Sequence, residues 1–243
     1  MTTPQSQIST HLQTNKSLHV SPTWLHSFIT SSTTLQRNTP LSALTQTALF
    51  RILASDFRDS LTTSTPSSLL PADIFDPTVQ ERRLPGPVAV QVLDIEDIGT
   101  SLWSQVEAIE RVARGEAIRG REIVRTVNVG EEGEDGGVAR GPDTAAGGTS
   151  PGPHRLILQD AAGTRAVGVE VRRVSGVALN RMAIGAKMVL RNVTVARGMV
   201  LLTPECVTLL GGKIEALDQA WREARKAKLL ARITAGPNGQ NGQ

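Results

Sequence analysis

Aromatic side chains are what this chain has least of. Among 243 residues there are three tryptophans, four phenylalanines and no tyrosine. That scarcity leaves little material for stacking unpaired bases, the commonest way a β-barrel holds single-stranded nucleic acid. A single cysteine, Cys206, excludes an intramolecular disulfide and fits a reducing compartment. No apolar run reaches membrane-spanning length, and Met1 to Lys16 has no apolar core of the kind a signal peptide needs. Basic and acidic residues nearly balance at 26 against 23, and a formal charge of +3 is too weak by itself to imply nucleic acid. What remains is the profile of a soluble intracellular protein, with 39% hydrophobic residues to build one large or two small domains.

The chain reads as two units. Residues 1–19 are polar and are expected to form a disordered tail. Ser21-Pro22 then sets a capping serine before a proline at the first helical position, and Trp24, Leu25, Phe28 and Ile29 follow at helical spacing. Thr39-Pro40 repeats the signal ahead of a longer helix. Its stripe is Leu41, Leu44, Ala48 and Ile52, widened by Leu49, Leu53 and Phe57. A Ser/Thr/Pro linker, Thr62 to Ser68, and a short apolar segment, Leu69 to Phe75, complete a helical unit over residues 20–80.

From Leu84 the period changes. Val88, Val90 and Val92 mark a strand running to Asp97, with prolines 85 and 87 tolerated only at its start. Leu156 to Leu158, a turn at Asp160-Ala-Ala-Gly163, and the alternating Val167, Val169 and Val171 make a hairpin. Met188 to Val195 and Met199 to Leu202 flank the tight-turn signal Arg197-Gly198. Five turn-separated β segments predict a mainly β fold, a small closed OB-fold barrel over residues 84–233. Val174 to Gly185 falls where that fold carries the connection between its third and fourth strands. A C-terminal helix is expected over residues 213–233, and a polar tail over 234–243.

Between Asp97 and His154 the strand pattern stops for about 55 residues, far longer than an ordinary connection. This insertion, residues 98–153, begins with Leu102, Val106, Ile109 and Ala113 on one helical face and Trp103 beside it. Arg111, Arg114, Arg119, Arg121 and Arg125 follow, then the acidic run Glu131 to Asp135. Gly130 to Pro153 is expected to be disordered, being rich in glycine and lacking apolar periodicity. Closing so long a loop costs only about 2 kcal/mol more than closing a short one. Burying each larger side chain of the apolar face gains about 1.5–3 kcal/mol, so that face should be covered either by its own barrel or by a partner.

Candidate chemistry is sparse. His11, His19, His26 and His154 are scattered, and none stands at ligand spacing with Cys206, so neither a metal nor another cofactor is expected. There is no G-x-S-x-G motif, and Cys206 reads as a small core hydrophobe. Gly211-Gly212-Lys213 resembles the tail of a phosphate loop but lacks the upstream glycine and the following Ser/Thr. It reads as a turn before a helix. Asp94 and Glu96 share the parity of Val88, Val90 and Val92, so the strand is expected to end or bulge near Leu93 with the acids at its solvated end. No residue is left to carry catalysis. Arg155, Arg165, Arg172 and Arg173 offer weak, salt-sensitive phosphate contacts to DNA, but His154 to Arg173 contains no aromatic residue on which to stack a base. A protein partner is favoured, with an independent single-stranded DNA-binding protein as the alternative.

Several stretches carry a family likeness: Ser21-Pro-Thr-Trp-Leu25, Leu53-Ala-Ser-Asp-Phe-Arg-Asp59, Leu84-Pro-Gly-Pro-Val88, Leu158-Gln-Asp160 and, above all, Leu201-Leu-Thr-Pro-Glu-Cys-Val-Thr-Leu-Leu-Gly-Gly212. In order and spacing these resemble the RecQ-mediated genome instability protein 1 family, whose Pro-Glu-Asn-Val-x-x-Leu-Gly-Gly pattern is matched except for Cys206 in place of Asn. The resemblance implies a nuclear, non-catalytic subunit that joins an N-terminal helical bundle to an OB-fold and binds topoisomerase III, a type IA enzyme, together with a RecQ helicase. Such complexes decatenate DNA and dissolve double Holliday junctions. The family's long insertion reaches the topoisomerase gate. Carried onto this sequence, that role falls to Ile98 to Pro153, with Leu102, Trp103, Val106 and Ile109 as its topoisomerase-binding residues. Animal members add a second OB-fold that recruits a small partner. This chain is similar to the short fungal type, which puts such a partner in doubt.

Overall fold

A computed structural model describes residues 3–33, 40–115 and 152–235. Of the disorder expected from Gly130 to Pro153, residues 130–151 lie outside these ranges, as do the arginines at 119, 121 and 125 and most of the C-terminal tail, whereas Gly152 and Pro153 are described.

The N-terminal unit begins with a helix that its sequence does not suggest. Residues Pro4–Lys16 form α1, where a disordered tail is expected. The polar composition hides two features: Thr3-Pro4 repeats the cap-then-proline start, and Ile8 and Leu12, four residues apart, are fully buried. Both join one cluster with Leu18, Leu25, Phe28, Ala48, Ile52 and Phe57. Helices α2 (Pro22–Thr33), α3 (Leu41–Ala54) and the single turn α4 (Phe57–Ser60) supply the rest. The Ser21 hydroxyl accepts from the Trp24 N–H at 3.5 Å, the cap expected from the motif. The segment after the linker packs differently from its assignment to this unit: Leu70 and Ile74 contribute their side chains to the barrel core.

The sheet has eight strands: β1 (Arg82–Leu84), β2 (Val88–Asp97), β3 (His154–Gln159), β4 (Arg165–Glu170), β5 (Lys187–Leu190), β6 (Val193–Ala196), β7 (Met199–Leu202) and β8 (Val207–Gly211). Their order is β1-β6-β7-β4-β3-β2-β5-β8, antiparallel throughout except for the parallel β4–β7 pair. Only Arg191 and Asn192 separate β5 from β6, although the two sit near opposite ends of that order. They are one bent strand, and the bend carries the sheet round on itself. Likewise β7 and β8 continue each other across the turn at Thr203 to Cys206. Five long strands thus make the OB-fold. Val174 to Ala186 crosses between the third and fourth as a turn-rich segment whose Val174, Val177, Leu179, Met182 and Ile184 fill the barrel interior.

Helix α6 (Glu215–Thr234) follows β8 through Gly211 and Gly212, both with positive φ. A Cβ on Gly212 would sit 2.4 Å from the Leu53 carbonyl oxygen, so glycine is required where the barrel meets α3. A hydrogen-bonded network crosses the same boundary. The Gln91 side-chain oxygen accepts from the Phe57 N–H at 3.0 Å and from Lys187 Nζ at 2.8 Å. Its amide nitrogen donates to Asp56 at 2.8 Å and Gln159 at 3.1 Å. Lys187 is fully buried, with its ammonium 4.6 Å from the centre of the Phe57 ring. Burial pulls its pKa down to about 7, against a smaller upward pull from Asp56. Burial also works to raise the Asp56 pKa. Hydrogen bonds from the Arg58 side chain and backbone and from Gln91 outweigh it and hold the carboxyl below its ordinary range.

Candidate functional site

The insertion leaves the barrel through a built root. Asp97 ends β2 and is almost wholly buried. Its Oδ1 accepts from the Gly99 and Thr100 N–H groups at 2.8 and 3.1 Å, and its Oδ2 from the Thr100 hydroxyl at 2.7 Å. Ser101 then caps α5 (Leu102–Ala113), accepting from the Ser104 N–H at 3.1 Å. From inside α5, buried Gln105 donates back to the carbonyls of Asp97 and Thr100, both at 3.0 Å. The returning chain closes the base: the Ile98 N–H donates to the Pro153 carbonyl at 3.0 Å. Gly99 and Gly152 lie so close that a Cβ on Gly99 would come within 2.6 Å of the other's Cα. Behind them, His154 Nδ1 and Glu170 Oε2 are 2.5 Å apart in the interior, and Glu170 also accepts from the Val174 N–H.

α5 does not project freely. It packs along α6, with Val106 buried and Leu102 and Ile109 half-buried. Glu110 meets Lys226 at 2.9 Å, and that contact is the main reason its pKa lies below the ordinary carboxylate value. Of the four residues singled out from the sequence, Trp103 alone is exposed, at 64%. α6 is itself clamped to the barrel. Asp218 accepts from the Ile184 N–H at 2.9 Å and from Arg222 at 2.7 Å. Trp221 Nε1 donates to Asp94 at 2.6 Å. Lys228 also pairs with Asp94, and Arg232 with Glu96.

These contacts revise the reading of the acidic pair. The strand does bulge between Val92 and Asp94, and the register shift turns Ile95 into the core and both acids outward. They do not mark a solvated strand end. The strand runs on to Asp97, and the acid side chains are covered by α6 and, at Glu96, by Arg155 at 2.9 Å. Paired cations on one exposed-looking helix were the available signal, since Trp221, Lys228 and Arg232 recur on one side of α6.

The four arginines considered for DNA are dispersed. Arg155 is paired with Glu96 and Arg172 with Glu205, which drops Glu205 to a pKa of about 2 chiefly through their hydrogen bond. Arg165 begins β4 and Arg173 lies three residues beyond its end at Glu170, and both are exposed. Among the described residues no group of histidine, cysteine and acid side chains is arranged to hold a metal ion. Cys206 is buried, with its sulfur accepting from the Thr203 N–H at 3.2 Å within the turn between β7 and β8.

Sequence comparison places this architecture. The model described as the RMI1 N-terminal OB-fold domain matches residues 70–225, more than half of the chain, and the RMI1 N-terminal helical domain matches residues 12–60. The chain belongs to the RecQ-mediated genome instability protein 1 family. A relative from Schizosaccharomyces pombe, named RecQ-mediated genome instability protein 1, is 27% identical over 217 residues, covering 87% of this chain and 89% of that protein. Membership gives the chain a genome-stability role carried on an OB-fold. Within that family frame, the clamped α5–α6 pair with Trp103 at its surface is the site from which the insertion of this member starts.

Proposed function

We propose that the chain is a non-catalytic nuclear subunit of a RecQ helicase–topoisomerase III complex. It docks on the topoisomerase and presents its insertion to the DNA gate, promoting decatenation and double Holliday junction dissolution. The observation that carries this reading is the root of the insertion. A segment of about 55 residues leaves one barrel edge on a helix fixed in direction by Asp97, Gln105 and α6, with a tryptophan left in solvent. Rigid presentation of a large aromatic is what an interface anchor requires, because little side-chain freedom is lost on docking. The mechanism needs no new chemistry. A subunit that binds one gate state more tightly than another shifts the opening equilibrium by that difference in affinity.

The test is a decatenation assay with purified topoisomerase III, comparing the intact chain with one in which Gly99 to Gly152 is replaced by a short linker. The two ends already adjoin, so the barrel closes without the insertion. The shortened chain should still bind the topoisomerase and lose most of the stimulation. Full stimulation by the shortened chain would overturn the gating role.

A further inference from the structure

Among the described residues, two stretches of the barrel's outer surface along β2 are covered by helices, and the face that follows β2 round the barrel is not. The outward residues at the start of β2, Ala89 and Gln91, lie under the helical unit, and Asp94 and Glu96 lie under α6. Continuing round the barrel, the outward positions of β3, β4 and β7 fall into two paired rows. Ile157 stands opposite Val167, and Val167 opposite Met199. Arg155 stands opposite Val169, and Val169 opposite Leu201. The inward positions of β4 are Ala166, Gly168 and Glu170, so the strand's valines are the ones turned out. Val171 continues the apolar stripe at 58% exposure and Met199 is 42% exposed, while the others are half-buried. Arg165 precedes this patch and Arg173 follows it. Both are exposed, and among the described residues neither meets a carboxylate.

We infer that this β3–β4–β7 face is a docking surface for a protein bearing an apolar ridge bordered by carboxylates. On the reading proposed above, that protein is the topoisomerase. Three features select this occupant. The rows contain no aromatic side chain, so bases would find no stacking platform, and two of the nearby arginines, Arg155 and Arg172, are already paired with Glu96 and Glu205. A second copy of the same face would bring Arg165 and Arg173 against like charge rather than against carboxylates. Centred apolar side chains with charges at the rim are the ordinary anatomy of a protein interface. The face also lies on the strand that leads away from the insertion root, so one partner can touch both.

The experiment measures binding of purified topoisomerase III, and separately of a single-stranded oligonucleotide, to the intact chain, to a Val169→Ser/Leu201→Ser double variant and to Val171→Ser. Thermal unfolding confirms that each variant is folded, and Val171, already in solvent, guards against a folding artefact. The double variant should bind the topoisomerase at least tenfold more weakly and Val171→Ser severalfold more weakly, with oligonucleotide binding unchanged. An intact chain that fails to bind topoisomerase overturns the function proposed above. An intact chain that binds, with variants equal to it, overturns this face alone. Loss of oligonucleotide binding in the variants, or loss of self-association in sedimentation, would reassign the face to nucleic acid or to a second copy.

Discussion

β2 and β4 run through the same barrel, separated by one strand, yet their outward faces are opposites. On β2 each outward residue named above has an internal partner: Ala89 packs in the helical cluster, Gln91 joins Asp56 and Lys187, Asp94 holds Trp221 and Lys228, and Glu96 holds Arg155 and Arg232. On β4 the outward residues are Arg165, Val167 and Val169, and its principal contacts run to β3 and β7. Polar groups on β2 are therefore structural, while the apolar groups on β4 have no helix over them among the described residues and form the docking face proposed above. The usual expectation of polar outside and apolar inside fails on both strands, for related reasons. The helices covering β2 need hydrogen-bonded anchors in a buried place, and small inward residues on β4 leave its larger ones facing out.

Substitutions sharpen this contrast. The largest expected effect is Gln91→Leu, which strands Lys187, the Phe57 N–H and Asp56 around one lost amide. Stability should fall by about 3 kcal/mol, read as a shift in the urea midpoint. Asp94→Ala should cost about 1–2 kcal/mol and leave Trp221 Nε1 unpaired. It should also raise proteolytic sensitivity in α5, because α5 rests on α6.

Lys187→Met tests the same boundary through pH. In the unfolded chain the lysine titrates near 10.5, and in the fold near 7. Between those values the unfolded state binds more protons, so this group makes stability rise as pH rises, and its full penalty is present below about 7. The methionine variant should be more stable by about 1 kcal/mol at pH 6.5 and should show a flatter stability profile from pH 7 to 10. A steeper profile would contradict the assignment. The smallest effects belong to the uncovered side. Trp103→Ala and Val171→Ser should change stability by less than about 0.5 kcal/mol in the same melts, since both side chains already stand in solvent.

Much of this was legible in the sequence. β2 is bounded at Val88 and Asp97 as its alternation indicates, and parity pointed to an end or a bulge near Leu93, because two acids could not share the core with three valines; the structure has the bulge. The turn at Asp160 to Gly163 and the glycine pair before α6 were also readable, since each rests on local backbone chemistry. Long-range burial was not. α1 was hidden because only Ile8 and Leu12 face the cluster, and their partners lie many residues away. The apolar stripe of α5 announced a helix but not its cover, which comes from α6 more than a hundred residues on. The alternation of Val167, Val169 and Val171 marked a strand without revealing its sense, which is decided by Leu158 and Leu202 filling the space beside Gly168.

The contrast between the two faces is tested most directly by amide hydrogen exchange of the intact chain with and without purified topoisomerase III. The account predicts added protection in β4, in β7 and around Trp103 at the start of α5, with little change in α1, α3 or the Trp221 turn of α6. Protection confined to the N-terminal helices, with β4 and β7 exchanging as in the free chain, would contradict it.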